Sequence, residues 1–243
     1  MSVSAELDRL YVVLVATRNP LNIGAAARAM SNFGFSHLRV VNPYEVAFRE
    51  ARSAVGAAEL LKNAEEYKSV AETVADCTLV VGTTALQHRE LQHPLQSLSA
   101  AAPQIRRELS SKSGRVALLF GSEKRGLSNE DLSHCRWLMR IPTREAHGSM
   151  NLAQAVAVCL YELVRAPKAK AASEKLRSAT AGDLERLSAL LFDALRSSGY
   201  VKRGSEASTQ EKVRRTVRRL HLEADDAELW LGMLRKIQWK LRE

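Results

Sequence analysis

Several features that identify large protein classes are missing from this 243-residue chain. No apolar run approaches the roughly 20 residues that a membrane-spanning helix needs. The amino terminus, MSVSAELDRL, lacks the basic start and the apolar core of a secretory signal peptide. We therefore expect a cytoplasmic protein without a membrane partner.

Cysteine is scarce as well. Cys77, Cys135 and Cys159 lie far apart, so they form neither the close pairs of a zinc site nor an even disulfide set. The histidines are scattered and show no metal-ligand spacing. The sequence predicts reduced, buried thiols and no bound metal.

Three common catalytic signatures are also absent. Neither the Gly-x-Gly-x-x-Gly fingerprint of dinucleotide-binding folds nor the Gly-x-Ser-x-Gly turn of α/β-hydrolases occurs. The loop from Gly121 to Ser128 imitates the spacing of a P-loop, but Leu127 stands where the phosphate-binding lysine should be. A dehydrogenase, a hydrolase or a nucleoside triphosphatase therefore has little support.

What the chain does contain is an ordinary globular composition with a basic excess. Hydrophobic residues make up 46%, charged residues 26%, and the formal net charge is +9. The excess is concentrated in residues 166–243, which hold 17 Lys and Arg against 11 Asp and Glu. This favours an acidic partner, with nucleic acid first and an anionic membrane surface second.

Apolar, β-branched runs alternate with helical patterns through the first two thirds of the chain. This alternation, with strands that are apolar throughout, predicts an α/β fold around a parallel sheet buried on both faces. The predicted strands are Tyr11–Ala16, Leu38–Val41, Thr78–Val81, Val116–Phe120 and Trp137–Ile141. The predicted helices are Ile23–Phe33, Ala54–Asn63, Tyr67–Val74, Leu98–Ser110 and Leu152–Val164.

The character of the chain changes after Arg165. Residues 166–173, APKAKAAS, suit a linker, and the remainder shows helical patterns without a strand signal. We predict an α/β domain over residues 1–165, a linker over 166–173 and a helical extension over 174–243 that binds RNA or supports a dimer. The predicted helices of the extension are Ser173–Ser197, Ser208–Leu220 and Asp225–Leu241.

Three loops, each directly after a predicted strand, carry polar residues suited to ligand binding, and ligands of open α/β sheets bind at the carboxyl ends of strands. In the first loop, Asn22 is a candidate helix cap, and Arg28 offers a guanidinium suited to phosphate. A solvated surface arginine is the alternative. The second loop combines glycine amides with the Glu123 carboxylate. The third ends in Ser149-Met150-Asn151 at a helix start, where an ordinary helix cap is the alternative.

Together these loops resemble the three signature motifs of the SPOUT-class RNA ribose 2′-O-methyltransferases, the TrmH/SpoU group, and are most similar to its TrmJ-type tRNA members. They occur in the family's order within residues 10–165. The motifs run from Asn22-Ile23-Gly24 through Arg28, from Phe120-Gly121-Ser122-Glu123 through Ser128, and from Ile141-Pro142 through Ala155.

The resemblance implies transfer of a methyl group from S-adenosylmethionine to a ribose 2′-hydroxyl, with a pyrimidine nucleotide of a tRNA anticodon loop as the expected target. It also implies a trefoil knot at the carboxyl end of the α/β domain and a homodimer whose active sites form at the knot-to-knot interface. Around the reacting centre it places Asn22, Arg28, Glu123, Ser149 and Asn151, with Asn22 holding Arg28. Against the methyl donor it places Thr83, Thr84, Ala85, Gly121, Ile141, Gly148, Ser149 and Met150.

Further RNA contacts are predicted outside the three motifs. TrmJ-like chains often have Arg after Gly-Thr-Thr-Ala, where this chain has Leu86, so the contact shifts to Arg89. In the tail, basic residues around a buried apolar stripe predict an RNA-binding helix face, with a solvated face as the alternative. They are Lys212, Arg214, Arg215, Arg218 and Arg219. An rRNA 2′-O-methyltransferase and a catalytically silent RNA-binding relative remain the alternative functions.

Overall fold

The computed structural model describes residues 6–44, 58–85, 93–144, 148–165 and 178–241. Its strands are β1 (Leu10–Val15), β2 (His37–Val41), β3 (Glu65–Tyr67), β4 (Leu79–Thr83), β5 (Leu95–Ser97), β6 (Val116–Phe120) and β7 (Trp137–Arg140). They form one sheet in the order β3-β2-β1-β6-β4-β7-β5, and every neighbouring pair is parallel. The predicted parallel α/β fold is confirmed.

Nine helices occur in the described residues. They are α1 (Pro20–Phe33), α2 (Ala58–Lys62), α3 (Val70–Thr73), α4 (Leu98–Leu109), α5 (Asn129–Ser133), α6 (Leu152–Arg165), α7 (Ala181–Ser197), α8 (Glu206–Arg219) and α9 (Ala224–Leu241). None of these helices is both long and apolar enough to cross a membrane. Helices α8 and α9 match the predicted tail helices to within two residues, whereas the predicted helix Ser173–Ser197 is wrong at its start: Thr180 caps α7, which begins at Ala181, and residues 178–180 are not helical. The predicted linker lies outside the described residues.

The five predicted strands correspond to β1, β2, β4, β6 and β7, but the two edge strands were not predicted. Strand β3 has the sequence EEY and β5 the sequence LQS, and none of their residues is fully buried. Neither segment contains the apolar run that marks a buried strand. For the same reason the predicted helix Tyr67–Val74 is wrong at its start, since Tyr67 ends β3 and α3 begins at Val70.

The two faces of the sheet carry separate cores, because successive strand residues point to opposite sides. On one face, Val12 and Leu118 pack with α1, α4 and α6. On the other face, Val13 and Leu119 pack with the short helices α3 and α5. The second face therefore has less helical cover from the α/β domain itself.

The tail contributes to the cover of this second face. Ala181, the first residue of α7, is 3% exposed and belongs to the second core. Its amide donates to the Cys77 carbonyl at 2.7 Å, and the Gly182 amide donates to the Ala75 carbonyl at 2.8 Å. Helices α7, α8 and α9 also share a small core of their own. The tail is thus bonded to the sheet domain as well as to itself.

Candidate active site

A cavity of about 490 Å³ opens at the carboxyl ends of β6, β4 and β7, which are neighbours in the sheet. This volume falls within the roughly 300–1,000 Å³ range of small-molecule sites. The residues predicted to contact a methyl donor all line it: Thr83, Thr84, Ala85, Gly121, Ile141, Gly148, Ser149 and Met150. The strand order therefore brings together segments that are far apart along the chain.

Two glycines shape the loop between β6 and α5, residues 121–128, which we call the glycine loop. Gly126 has a φ of +66°, and its amide donates to the Ser122 carbonyl at 2.8 Å. Gly121 lies against this turn so closely that a Cβ atom there would sit 2.1 Å from the Gly126 carbonyl carbon. Leu127 is 2% exposed in the second core. Where a P-loop has its lysine, the glycine loop has a hydrophobic anchor.

The carboxylate of Glu123 joins the glycine loop to the start of α1. Its Oε1 accepts from Asn22 Nδ2 at 3.0 Å and from the Asn19 amide at 3.3 Å, and its Oε2 accepts from the Arg18 amide at 3.4 Å. Burial raises the pKa of Glu123, but these hydrogen bonds outweigh burial and hold the pKa below its ordinary value. The carboxylate is therefore ionised at neutral pH.

Asn22 has a different role from the helix cap that the sequence predicted. The cap of α1 is Asn19, whose side chain accepts from the Leu21 amide at 3.0 Å, and Pro20 occupies the first helical position. Asn22 lies within the first turn and is only 9% exposed. Because a cap must precede the first turn, the prediction placed the helix start three residues too late.

Asn151 caps α6 and continues the chain of side-chain hydrogen bonds. Its Oδ1 accepts from the Ala153 amide at 2.9 Å and from the Gln154 amide at 3.3 Å. Its Nδ2 donates to Asn22 Oδ1 at 2.8 Å. Since backbone amides only donate and an ionised carboxylate only accepts, the orientation of both amide groups is fixed. We call this series, from α6 through Asn151 and Asn22 to Glu123, the amide relay.

The end of β4 is bonded to both of its neighbours in the sheet. Thr83 Oγ1 donates to the Leu119 carbonyl of β6 at 2.8 Å. The Thr84 amide donates to the Met139 carbonyl of β7 at 3.0 Å. These bonds hold the floor of the cavity across three strands.

Arg28 and Ser149 lie on exposed parts of the chain. Ser149 lines the cavity, whereas Arg28 projects from α1 outside the cavity lining. The expectation that Asn22 holds Arg28 is wrong, because both ends of the Asn22 amide bond to Glu123 and Asn151. Arg89 lies outside the described residues.

Lys124 and Arg125 also line the cavity, and the sequence reasoning did not select them. Both side chains are exposed in the glycine loop next to Glu123. Their position between Gly121 and Gly126 could have identified them, because residues of a loop at the ligand site border that site. They give the cavity mouth two positive charges.

The predicted basic face of the tail is wrong for three of its five residues. Arg214 and Arg215 are each 8% exposed and Arg218 is 3% exposed. Arg214 and Arg218 pair with Glu185, and Arg215 pairs with Glu211. These side chains face inward because α8 packs between α7 and α5, so only Lys212 and Arg219 remain exposed as predicted.

No group of three or more His, Cys, Asp or Glu side chains is placed to hold a metal ion in the part of the chain that is described. The three cysteines are free and buried, as predicted. Burial raises the pKa of the Cys135 thiol to about 12, so it is protonated at neutral pH.

This architecture defines a class: an open parallel α/β sheet whose carboxyl edge holds a small-molecule cavity, with loops from separate strands joined by side-chain hydrogen bonds. Residues 9–161 match the family model described as the SpoU rRNA methylase family. The chain belongs to this family.

Relatives that resemble the chain carry more specific names. The tRNA (cytidine/uridine-2′-O-)-methyltransferase TrmJ of Pectobacterium atrosepticum is 32% identical over 96% of this chain and 98% of its own length. The crystal structure of TrmJ from Z. mobilis ZM4 superimposes with a TM-score of 0.81 at 29% identity, covering 94% of this chain and 98% of that one. A putative methylase family protein from Neisseria gonorrhoeae gives a TM-score of 0.66 at 30% identity, covering 75% and 93%.

We expect Gly121→Ala to destabilise the fold far more than Gly126→Ala. A methyl group at position 121 meets backbone atoms at 2.1 and 2.2 Å, which no side-chain rotation relieves. A methyl group at position 126 meets nothing within 4 Å. Its only cost is the backbone strain of alanine in the left-handed conformation, about 1–2 kcal/mol. Urea unfolding measures both losses. Equal losses would contradict the close packing of Gly121 against the turn.

Asn22→Asp should destabilise the protein at neutral pH and do so less in acid. The new carboxylate faces Glu123 and removes a hydrogen bond, a loss of about 1–3 kcal/mol. In the unmodified chain the folded state lowers the pKa of Glu123. This stabilises the fold at pH values above the pKa that Glu123 has in the unfolded chain, and the stabilisation is lost as the pH falls through the folded pKa. The variant loses the part of that contribution that comes from Asn22 and keeps the part from the Arg18 and Asn19 amides, so the two unfolding free energies should approach each other as the pH falls below about 4.5.

Asn129→Asp is the matched control, since Asn129 is exposed in the first turn of α5. The same chemical change there should leave stability nearly unchanged between pH 4 and 8. A pH-independent loss in Asn22→Asp would mean that Glu123 does not respond to the new charge.

Proposed function

We propose that this protein transfers a methyl group from S-adenosylmethionine to the 2′-hydroxyl of a pyrimidine nucleotide in a tRNA anticodon loop. Membership in the SpoU methylase family supports methyl transfer. The relative from Pectobacterium atrosepticum, named as a tRNA cytidine/uridine 2′-O-methyltransferase, matches almost the full length of both chains, including the tail. The observation that carries the proposal is the cavity lined by all eight predicted donor contacts.

The cavity suits this methyl donor on its own chemistry. A Cβ atom on Gly126 would meet nothing within 4 Å, so this glycine leaves open space beside the loop backbone at that wall. Ser149, Thr83 and Glu123 offer polar groups at the lining for the hydroxyl and amino groups of a nucleoside, while Ile141 and Leu152 offer apolar contact. S-adenosylmethionine supplies an electrophilic methyl group when it is bound.

The residues of the site act mainly by positioning. A ribose hydroxyl must meet the methyl group in line, and fixing two reactants in that geometry lowers the barrier substantially. The amide relay holds the glycine loop and the start of α6 at fixed positions around the cavity. Ser149 orients the hydroxyl, and Asn22, Asn151 and Glu123 maintain the site.

Arg28 binds the phosphate next to the target ribose and stabilises the alkoxide as its proton leaves. A guanidinium keeps its proton at any ordinary pH, so the phosphate or water takes the hydroxyl proton. Arg28 is exposed and lies outside the cavity lining of its own chain. These facts support a homodimer in which Arg28 serves the cavity of the partner.

The path of the chain around the cavity supports a trefoil knot at the carboxyl end of the α/β domain. Strands β6 and β4 separate β7 from β1 in the sheet. Nevertheless Asn151, eleven residues after the end of β7, bonds to Asn22 at the start of the helix that follows β1. The connection therefore crosses the carboxyl ends of two strands, as the proposed knot requires.

Residues 166–173 serve as the linker and residues 174–243 as an extension that binds RNA and supports the dimer. Helix α9 buries one side against α7 and exposes large apolar side chains on another: Leu229, Trp230, Met233 and Ile237. An exposed apolar stripe of this kind is typical of a protein interface. Lys212 and Arg219 of α8, with Lys124 and Arg125 at the cavity mouth, offer contacts for RNA phosphates. A cytoplasmic location follows from a tRNA substrate.

Ribosomal RNA is the second candidate substrate, because the description of the matching family names rRNA. Labelled S-adenosylmethionine should be incubated with unmodified total tRNA and rRNA in parallel, followed by nucleases that spare 2′-O-methylated linkages. We expect label on a pyrimidine ribose of tRNA. Label on rRNA alone would overturn the tRNA assignment, and no label on either RNA would contradict the proposed activity.

Mixing two inactive variants tests the shared active site. Arg28→Ala keeps the cavity, and Ile141→Trp fills the cavity but keeps Arg28, so each should be inactive alone. After subunit exchange, half of the dimers are mixed and each holds one complete site, which restores about a quarter of the unmodified activity. Arg28→Ala that is active alone would contradict the role of Arg28. A mixture that stays inactive would contradict its service to the partner.

A further inference from the structure

The inward-facing arginines of α8 form a cluster with groups from two other elements. Arg214 Nε lies 3.1 Å from Glu185 Oε1, and Arg218 Nη2 lies 3.1 Å from Glu185 Oε2. Both guanidinium groups thus hold one carboxylate of α7. We call Glu185, Arg214 and Arg218, together with Ser133 and His134, the arginine cluster.

The other half of the arginine cluster lies at the end of α5, the helix that follows the glycine loop. Arg214 Nη1 donates to Ser133 Oγ at 2.9 Å. His134 Nδ1 lies 3.4 Å from Arg218 Nη2 and 3.5 Å from Glu185 Oε2. Ser133 and His134 are 0% and 4% exposed, so these contacts are made in the interior.

Helix α5 connects this cluster rigidly to the cavity. It has only five residues, and its start is fixed by a reciprocal bond pair in which Ser128 and Asp131 cap each other's backbone amides. Ser128 ends the glycine loop, and Ser133 at the other end of α5 contacts Arg214. One short helix therefore joins the arginine cluster to the loop that holds Gly121, Glu123 and Gly126.

The ionic character of this contact gives it directional precision that hydrophobic packing lacks. Burying charged groups costs solvation energy, so a buried ion pair adds little stability compared with apolar residues of similar volume. What it does provide is a fixed orientation, because two guanidinium groups share the two oxygens of one carboxylate. Burial raises the pKa of Glu185, but His134, Arg214 and Arg218 outweigh it and lower the pKa to about 2. The carboxylate is ionised throughout the physiological range.

Helix α8 also approaches the sheet domain at a second place. His93, just before β5, is 8% exposed. Its pKa is lowered to about 4 by burial first and then by Arg215 and Arg219. The positive charges of Arg215 and Arg219 on α8 therefore lie near His93 of the sheet domain.

We propose that the arginine cluster is a positioning element for the methyl-donor cavity: Glu185, Arg214 and Arg218 hold Ser133 and His134, and through α5 they set the glycine loop in its binding conformation. This inference rests on the proposed function, because it takes S-adenosylmethionine as the cavity ligand. The tail then acts on donor binding without touching the donor. Such coupling between separate sites is typically worth five-fold or more in affinity.

Calorimetric titration of S-adenosylmethionine into the full-length protein and into Glu185→Gln tests this. The substitution keeps the side-chain size but leaves Arg214 and Arg218 without a carboxylate, so we expect donor affinity to fall about ten-fold. Glu65→Gln is the matched control: Glu65 lies 3.2 Å from the buried Arg39, at the far edge of the sheet from the cavity. Its donor affinity should stay within about two-fold of the unmodified chain. Thermal unfolding of each variant separates loss of fold from loss of affinity.

Ser133→Ala provides a second route that does not remove a charge. It deletes the oxygen that receives the Arg214 hydrogen bond, so we expect donor affinity to fall about three-fold and the unfolding midpoint to fall by a few degrees, because a buried donor loses its acceptor. This variant decides the question if Glu185→Gln does not fold.

The outcomes separate the two proposals. If the unmodified protein does not bind S-adenosylmethionine, the proposed function fails. If it binds, and Glu185→Gln and Ser133→Ala bind as tightly as the unmodified chain, the proposed function stands and the positioning role is overturned. An equal loss of affinity in Glu65→Gln also overturns the positioning role, since that would show a general effect of destabilisation.

Discussion

The amide group of Asn22 is the contact on which the arrangement of the site depends. It donates to Glu123 in the glycine loop and accepts from Asn151 at the start of α6. The three residues follow three different strands, so no local sequence preference holds them together. Because the relay begins at backbone donors of α6 and ends at a carboxylate that only accepts, each amide has a single satisfactory orientation. One buried side chain thereby fixes three loops relative to one another.

The positive charges of the tail serve two different purposes in this structure. Lys212 and Arg219 remain exposed, whereas Arg214 and Arg218 face inward and hold Glu185. Composition alone does not show which of these residues are buried, since all four lie on one helix within eight positions. Arg214 and Arg218 are buried because α8 packs against α5 and because Glu185 of α7 is their acidic partner. A basic helix in this family member is therefore a connection to the catalytic domain as well as a candidate RNA surface.

Much of the fold could be predicted because its central strands are buried on both faces. Val116–Phe120, for example, is apolar at every position and was located without error. The edge strand Glu65–Tyr67 has no apolar pattern. It is a strand because its backbone pairs with β2, and its side chains give no sign of this. The residues lining the cavity were predicted from a family resemblance and from their position after strands. The hydrogen-bond partners of the site residues could not be predicted. Nothing in the sequence around Asn22 indicates that its side chain bonds to Asn151, 129 residues away along the chain.

A crystal structure of the protein with S-adenosylmethionine would test the central claim most directly. We predict that the donor occupies the cavity between Thr83-Thr84-Ala85, the glycine loop and Gly148-Ser149-Met150, with the bonds from Asn22 to Glu123 and Asn151 intact. Density for the donor elsewhere, or a bound state in which the amide relay is broken, would contradict the account.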